Sequence, residues 1–149
     1  MTSDQDSHQA LHNFVDGCQS LYPDIPWMTA HEFMDMRGER HWVIVDVRTD
    51  AERQVSIIPG AMFLADYQQH AAQHKGQPVL VYCTVGCRSA SHTDNLRAQG
   101  IEAYNLWGGV LDWAAAGGAF TTLTGQPTHA VHTHGRRWDL LPPAYTAVW

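Results

Sequence analysis

The clearest structural signal in the sequence is Pro78-Val79-Leu80-Val81-Tyr82-Cys83-Thr84-Val85-Gly86-Cys87-Arg88-Ser89. Its apolar beginning, residues 78–82, is typical of a strand that is covered on both faces of a parallel sheet. The segment Ser89–Gln99 has helical character, and Gly100 stands at the usual position of a glycine after a helix. The stretch therefore predicts a buried strand that passes through a short loop into a helix.

The same alternation extends in both directions along the chain. The β-branched run Trp42–Val47 predicts a second buried strand, and Thr29 with Glu32 forms the pattern of a capping box at a helix start. Further predicted strands lie at 62–64 and 103–106, and predicted helices lie at 30–38, 51–54, 66–74 and 110–116. Because strands alternate with helices, the sequence predicts an α/β fold with a parallel sheet.

Two segments flank this central domain, which we place at residues 26–117. Residues 1–25 are typical of a polar arm with one short helix, whose apolar positions include Leu11, Val15 and Cys18. Residues 118–149 form a C-terminal tail whose composition predicts irregular but ordered structure. Its large aromatic side chains either fold back on the domain or form a partner interface, and folding back is the favoured interpretation. They are Phe120, Trp138, Tyr145 and Trp149.

Composition excludes several classes of function. The 149 residues suffice for one domain with arms, and 44% hydrophobic residues exclude a disordered chain. A formal charge of −6 argues against nucleic acid or an anionic membrane surface as the partner. The chain has neither an apolar run long enough for a membrane span nor a secretory signal at its N-terminus. We therefore expect a cytoplasmic protein whose three cysteines serve packing, metal binding or catalysis.

The cysteine loop, residues 83–89, has the features of a site for a sulfur anion. Cys83 stands at the carboxyl end of a buried strand, where α/β sheets bind ligands. A loop that curls into a helix start directs several backbone N–H groups at one point, Gly86 permits the turn, and Arg88 adds a fixed positive charge. A helix N-terminus alone contributes only about 0.3–1 kcal/mol, so the other groups are needed to favour the thiolate. The alternative is a buried, inert cysteine.

Five separated motifs make the sequence resemble the rhodanese family over roughly residues 26–117. They are Asp46-Val47-Arg48, Glu52, Ile58-Pro59-Gly60-Ala61, the cysteine loop and Leu106-Trp107-Gly108-Gly109. The resemblance implies a rhodanese-like α/β fold with a central parallel five-stranded sheet flanked by helices, followed here by an irregular C-terminal extension. It also implies a sulfurtransferase that carries sulfane sulfur as a cysteine persulfide, with no cofactor and no metal.

By the same resemblance, Cys83 is the sulfur carrier, and the backbone of residues 84–88 holds the terminal sulfur. Asp46 and Arg48 look like a structural pair near the site, and Trp107 either lines the pocket or packs in the core. The donor is a small sulfur compound, and the acceptor is cyanide, a thiol or a protein. The expected substrate-binding residues are Thr84, Val85, Gly86, Cys87, Arg88 and Ser89.

Two alternative functions belong to other classes. A cysteine-dependent phosphatase or arsenate reductase has a longer loop, with arginine six residues after cysteine, whereas Arg88 lies five residues after Cys83. A non-catalytic rhodanese module that binds a partner protein is the second alternative, and the retained Cys83 and Arg88 argue against it. Thr84 and Val85 are neutral, so we expect the donor to be a persulfide or an organic sulfur compound rather than necessarily thiosulfate.

Further cysteines and histidines leave other interpretations open. Cys87 is either a resolving thiol that forms a disulfide or a position that tolerates many residues. Cys18 is expected to be a packing residue. His129, His132 and His134 alternate in the tail in a pattern that suits a strand facing water better than a zinc site.

Overall fold

The protein contains one parallel five-stranded sheet. A computed structural model describes residues 2–149, with side chains from residue 8 onward, so Met1 of the predicted arm lies outside the described residues. The strands stand in the order 1-5-4-2-3, and every neighbouring pair is parallel. They are β1 (Trp27–Met28), β2 (Val43–Asp46), β3 (Met62–Phe63), β4 (Val79–Tyr82) and β5 (Ala103–Leu106). The predicted α/β fold with a central parallel five-stranded sheet is thereby confirmed.

Helices cover both faces of this sheet. Capping boxes begin two of them, where Thr29 and Thr49 exchange hydrogen bonds with Glu32 and Glu52, so the box predicted at Thr29 is confirmed. None of the helices in the described part of the chain is long and apolar enough to cross a membrane. The helices are α1 (Thr2–Leu21), α2 (Ala30–Met36), α3 (Asp50–Val55), α4 (Leu64–Gln69), α5 (Cys87–Ala98) and α6 (Gly109–Ala115), with 3₁₀ turns at Arg37–Glu39, Ala71–His74 and Arg136–Trp138.

The central strand divides the core into two layers. Successive side chains of a strand point to opposite faces, so Val79 and Val81 enter one layer and Leu80 and Tyr82 the other. The first layer is completed by α4 and α5. The second contains apolar residues from α1, α2, α6 and the C-terminal tail. A strand that is apolar on both faces is consequently buried along its whole length.

The tail contains more regular structure than its composition predicts. Strands β6 (Phe120–Thr121) and β7 (Pro127–Thr128) pair antiparallel, and β8 (Ala130–His132) pairs in parallel with β9 (Thr146–Val148). Between these short strands the tail is largely irregular, as predicted. These strands are two or three residues long, and sequence periodicity cannot be measured over so few positions.

Side chains of the tail and of α1 join the core of the sheet. Trp138 is buried there with Leu11 and Val15 of α1. The Tyr145 hydroxyl donates a hydrogen bond to the Gly118 carbonyl at 2.7 Å, whereas Trp149 remains 55% exposed. Helix α1 spans 20 residues, so the expected short helix of the arm is in fact long. Apolar contacts thus hold both flanking segments to the domain.

Gly109, the first residue of α6, lies directly against the loop that follows β4. Its φ is +53°, and a methyl group at this position would collide with the carbonyl oxygens of Cys83 and Thr84. The first amides of α6 donate to the same oxygens, from Val110 at 3.0 Å and from Leu111 at 3.4 Å. The close approach of α6 to the loop therefore requires glycine.

We predict that Gly109→Ala destabilises the protein by about 3 kcal/mol, because the added methyl group is overpacked and the backbone is left-handed. Gly117→Ala is the matched control: its φ is +80°, but nothing lies within 4 Å of the added methyl group. The control should lose only about 1–2 kcal/mol. Urea unfolding of both variants measures the difference, and equal losses would contradict the packing argument.

Candidate functional site

Cys83 follows β4 at the carboxyl edge of the sheet, and its sulfur is surrounded by its own loop. The Gly86 amide donates to Sγ at 3.1 Å, and the Ser89 hydroxyl donates at 3.4 Å. Cys83 and Ser89 both have 0% relative exposure. Two hydrogen-bond donors on one buried sulfur are an arrangement that stabilises negative charge there.

Neighbouring elements hold the carbonyl groups of the loop. The Cys83 and Thr84 carbonyls accept hydrogen bonds from α6, and the Gly86 carbonyl accepts from Asn105 Nδ2 of β5 at 2.9 Å. In a trans peptide the N–H points opposite to the carbonyl. The amides of Thr84, Val85 and Cys87 are thus turned away from α6 and β5.

Gly86 provides the turn between the loop and α5. Its φ is +109°, and a side chain at this position would approach the Leu106 carbonyl to 3.1 Å. As the N-cap residue of α5 it places its own amide on the Cys83 sulfur. The expected role of this glycine agrees with the geometry.

Arg88 and Glu52 form a bidentate ion pair beside the loop. Nη1 and Nη2 of Arg88 donate to the two Glu52 carboxylate oxygens at 2.8 and 2.9 Å. Thr84 Oγ1 donates to Oε2 of the same carboxylate at 2.8 Å and accepts from Arg88 Nη2 at 3.0 Å. Glu52 is only 1% exposed. The first and fifth loop positions after Cys83 are therefore bound to α3 through one carboxylate.

The ion pair changes the electrostatic role that the sequence suggests for Arg88. Burial opposes ionisation of Glu52, but hydrogen bonds from Arg88 and Thr84 outweigh it and hold the pKa of the carboxyl well below its usual range. The hydrogen bond to Glu52 in turn raises the pKa of Arg88. Arg88 thus keeps its positive charge, but the adjacent Glu52 carboxylate neutralises that charge.

Asp46 and Arg48 form a fully buried pair below the loop. Arg48 Nη2 donates to Asp46 Oδ2 at 2.9 Å and to the Ser56 carbonyl at 2.6 Å. The Tyr82 hydroxyl donates to Asp46 Oδ2 at 2.7 Å and accepts from the Ile58 amide. These contacts connect β2, β4 and the segment after α3. They suit the structural role expected for the pair.

Trp107 lies beside α1 and the tail. Its ring approaches His12 of α1 at a centroid distance of 5.4 Å, and it lines a cavity of about 490 Å³ between α1, α6 and the tail. Leu111 and Pro143 lie on the same cavity. This cavity is distinct from the surroundings of the Cys83 sulfur.

Cys87 forms a disulfide with Cys18 of α1, with 5.5 Å between the two Cα atoms. Cys87 is therefore disulfide-bonded, but its partner is Cys18 and not Cys83, so its role as a resolving thiol for Cys83 stays a prediction. The prediction that Cys18 serves only for packing is wrong, although its side chain is buried. In sequence the two cysteines are 69 residues apart, and only the tertiary structure brings them together. Among the described residues, Cys83 is the free cysteine.

Histidines of the tail lie beside the same ion pair. His134 Nδ1 is 4.0 Å from Glu52 Oε2, and the His134 amide donates to His132 Nδ1 at 3.0 Å. Desolvation lowers the pKa of His132. Among the side chains that the structure describes, residues 8–149, no group of three or more His, Cys, Asp or Glu is arranged to hold a metal ion.

Residues outside the cysteine loop also bind it, and the loop motif alone does not indicate them. They include Glu52, Asn105 and Cys18. Glu52 had a local signal, because Thr49 and Glu52 have capping-box spacing. Asn105 and Cys18 had none, since their contacts cross distant parts of the chain.

The sequence is similar to that of known rhodanese-like proteins. The family model for the rhodanese-like domain matches residues 29–116. A thiosulfate sulfurtransferase of Coxiella burnetii is 35% identical over 101 residues, which cover 64% of this chain and 90% of that protein. A tRNA sulfurtransferase of Desulfurococcus amylolyticus is 34% identical over 73 residues, but the match spans 49% of this chain and only 15% of that protein.

Solved structures resemble the same region. A rhodanese-like domain protein from Staphylococcus aureus has 32% identity and a TM-score of 0.52, covering 60% of this chain and 91% of that one. A thiosulfate sulfurtransferase from Pseudomonas aeruginosa has 26% identity and a TM-score of 0.61, covering 76% of this chain and 22% of that one. The motifs around Cys83, the sheet that carries them and these similarities identify the chain as a member of the rhodanese-like domain family.

Proposed function

We propose that this protein is a sulfurtransferase that moves sulfane sulfur from a donor to a thiophilic acceptor through a persulfide on Cys83. The observation that carries the proposal is the convergence of the Gly86 amide and the Ser89 hydroxyl on Sγ of Cys83. The relatives named as sulfurtransferases support it at the level of the family. No cofactor or metal takes part.

In the first half-reaction the Cys83 thiolate attacks the sulfane sulfur of the donor. A bond forms between Sγ and that sulfur, and the donor's sulfur–sulfur bond breaks with its electron pair leaving on the departing group. That group is sulfite when the donor is thiosulfate and a thiolate when the donor is a persulfide. The Gly86 amide and the Ser89 hydroxyl stabilise the attacking anion before the step.

In the second half-reaction an acceptor removes the outer sulfur. Cyanide or a thiolate attacks it, the bond to Sγ breaks, and the electron pair returns to the Cys83 thiolate. Loop amides turned away from α6 and β5 supply fixed dipoles for the extended persulfide anion. The enzyme thus alternates between a thiolate and a persulfide. We propose a cytoplasmic setting, with a cellular thiol or protein as the acceptor.

Phosphoryl transfer is disfavoured by the arrangement of Arg88. A cysteine-dependent phosphatase needs an arginine whose guanidinium group is available to donate hydrogen bonds to two phosphate oxygens. Here both terminal nitrogens of Arg88 already donate to the Glu52 carboxylate. The short loop supports the same conclusion.

The complete burial of Cys83 favours one competing function, a non-catalytic rhodanese module that binds a partner protein. Such a module would keep its folded loop but accept no sulfur. Sulfur loading therefore separates the two functions directly.

We predict that the intact protein gains the mass of one sulfur atom after treatment with thiosulfate or glutathione persulfide and loses it on addition of cyanide. Cys83→Ser should gain nothing, because it lacks the nucleophile. Mass spectrometry of the intact protein measures the sulfur gained by wild type and by Cys83→Ser. Ser91→Ala, which removes a partly exposed hydroxyl on α5, is the matched control and should load like wild type. A wild-type protein that takes up no sulfur from either donor, whether its disulfide is intact or reduced, would support the non-catalytic module.

We predict that wild-type protein prefers glutathione persulfide to thiosulfate by about tenfold in kcat/KM, corresponding to ~1.4 kcal/mol. The reason is that Thr84 and Val85 are neutral and Glu52 neutralises Arg88, so a dianion meets little positive charge. Glu52→Gln removes the neutralising charge and should move the ratio of the two constants toward thiosulfate. The ratio cancels any general loss of activity caused by a weaker loop. A wild-type ratio of one, unchanged in the variant, would contradict the prediction.

A further inference from the structure

Helix α1 lies outside the family-matched segment, yet it is covalently bonded to the cysteine loop. The match covers residues 29–116, and α1 ends at Leu21. Cys18 in its last turn pairs with Cys87, which immediately follows Gly86, the residue whose amide contacts the Cys83 sulfur. The disulfide therefore joins a segment added to the domain to the part of the loop that surrounds the sulfur.

Apolar contacts place α1 and the tail together over this part of the domain. Leu11 and Val15 of α1 are buried in the same core as Val85 of the cysteine loop. Phe14 of α1 meets Trp138 of the tail edge-on, at a centroid distance of 4.9 Å. Cys18 lies on the same helical face, at the spacing that continues from Leu11 through Val15. Helix α1 is thus packed on the same core as the cysteine loop, and the disulfide joins the two covalently.

Cys83 itself is shut off from solvent in this disulfide-bonded form. Its relative exposure is 0%, and its neighbours Thr84 and Val85 are buried as well. A nucleophile that must meet a donor and then an acceptor needs access to both. Cys87, in contrast, is only partly buried, so a thiol reagent has a route to the disulfide that it does not have to Cys83.

We propose that Cys18–Cys87 is a redox-active disulfide, reduced by a dithiol, and that its reduction releases α1 from the cysteine loop and opens access to Cys83. The Cys18–Cys87 disulfide would react with a dithiol reductant, either a small molecule or a protein. The effect of this reduction on turnover rests on the proposed sulfurtransferase function, whereas its effect on the accessibility of Cys83 does not.

The reduction is a balanced thiol–disulfide exchange. A thiolate of the reductant attacks the Cys87 sulfur, the Cys18–Cys87 bond breaks, and Cys18 leaves as a thiolate that takes up a proton. The second thiol of the reductant then attacks the mixed disulfide and frees Cys87. Two electrons and two protons pass to the protein, and the reductant becomes a disulfide. Oxidation by a disulfide compound reverses both steps.

Alkylation of Cys83 by iodoacetamide tests the effect on access. In oxidised wild-type protein Cys83 is the free cysteine among the described residues, and in the double variant Cys18→Ser/Cys87→Ser it is again the one remaining thiol. Intact-mass measurement therefore reports a single modification in both. We expect Cys83 in the double variant to react at least about tenfold faster than in oxidised wild type. The reason is that no covalent bond then holds α1 to the loop, so α1 can open locally. Equal rates would overturn the proposal.

Two further samples guard against a folding defect in the double variant. Ser20→Ala changes an exposed residue of α1 and should alkylate as slowly as oxidised wild type. The second sample is wild-type protein reduced with dithiothreitol and freed of reagent, in which fragment masses assign the label to Cys18, Cys83 or Cys87 separately. Fast labelling of Cys83 in this reduced wild type supports the proposal, and labelling as slow as in the oxidised form overturns it.

Reducibility of the folded protein tests the redox site itself. Dithiothreitol without denaturant should add the mass of two hydrogen atoms to the protein, and oxidation should restore the original mass. The circular dichroism of the protein should stay unchanged. A disulfide that dithiothreitol reduces only in denaturant would overturn the proposal. Failure of sulfur loading in a protein whose Cys83 becomes accessible would instead overturn the sulfurtransferase proposal and leave this one intact.

Discussion

The site depends on the orientation of the peptide groups in the cysteine loop. Helix α6 and Asn105 bind the carbonyls of Cys83, Thr84 and Gly86, so the opposite amide side of the loop is left for the sulfur. This arrangement requires the start of α6 to lie in contact with the loop backbone, which is why Gly109 has no room for a side chain. The geometry around Cys83 is therefore a property of β4, β5 and α6 together.

Charge is distributed around the loop in pairs. Glu52 neutralises Arg88 on one side, and Asp46 neutralises Arg48 below it. Paired buried charges fix side-chain positions without leaving a net charge close by. The negative charge of a Cys83 thiolate then depends on hydrogen bonds and backbone dipoles, which suit a polarisable sulfur atom better than a multiply charged oxyanion.

The two flanking segments give this domain features beyond the family-matched residues. Helix α1 and the tail meet through Phe14 and Trp138, and the disulfide fastens α1 to the loop. A reducing cytosol keeps such thiols reduced, whereas an oxidising compartment keeps them bonded. The cytoplasmic location predicted from the sequence favours the reduced thiols, whereas the structure contains the disulfide.

Local sequence patterns predict the parallel α/β fold, the strand before Cys83 and the loop that surrounds its sulfur, because these features depend on hydrophobicity and on adjacent residues. The two-residue strand β1 and the short strands of the tail escaped prediction, since hydrophobic periodicity has no meaning over two or three positions. The pairing of Arg88 with Glu52 and of Cys87 with Cys18 was decided only by the tertiary structure. Each joins residues 36 or more positions apart, and the distance between such residues is set by how the helices pack on the sheet.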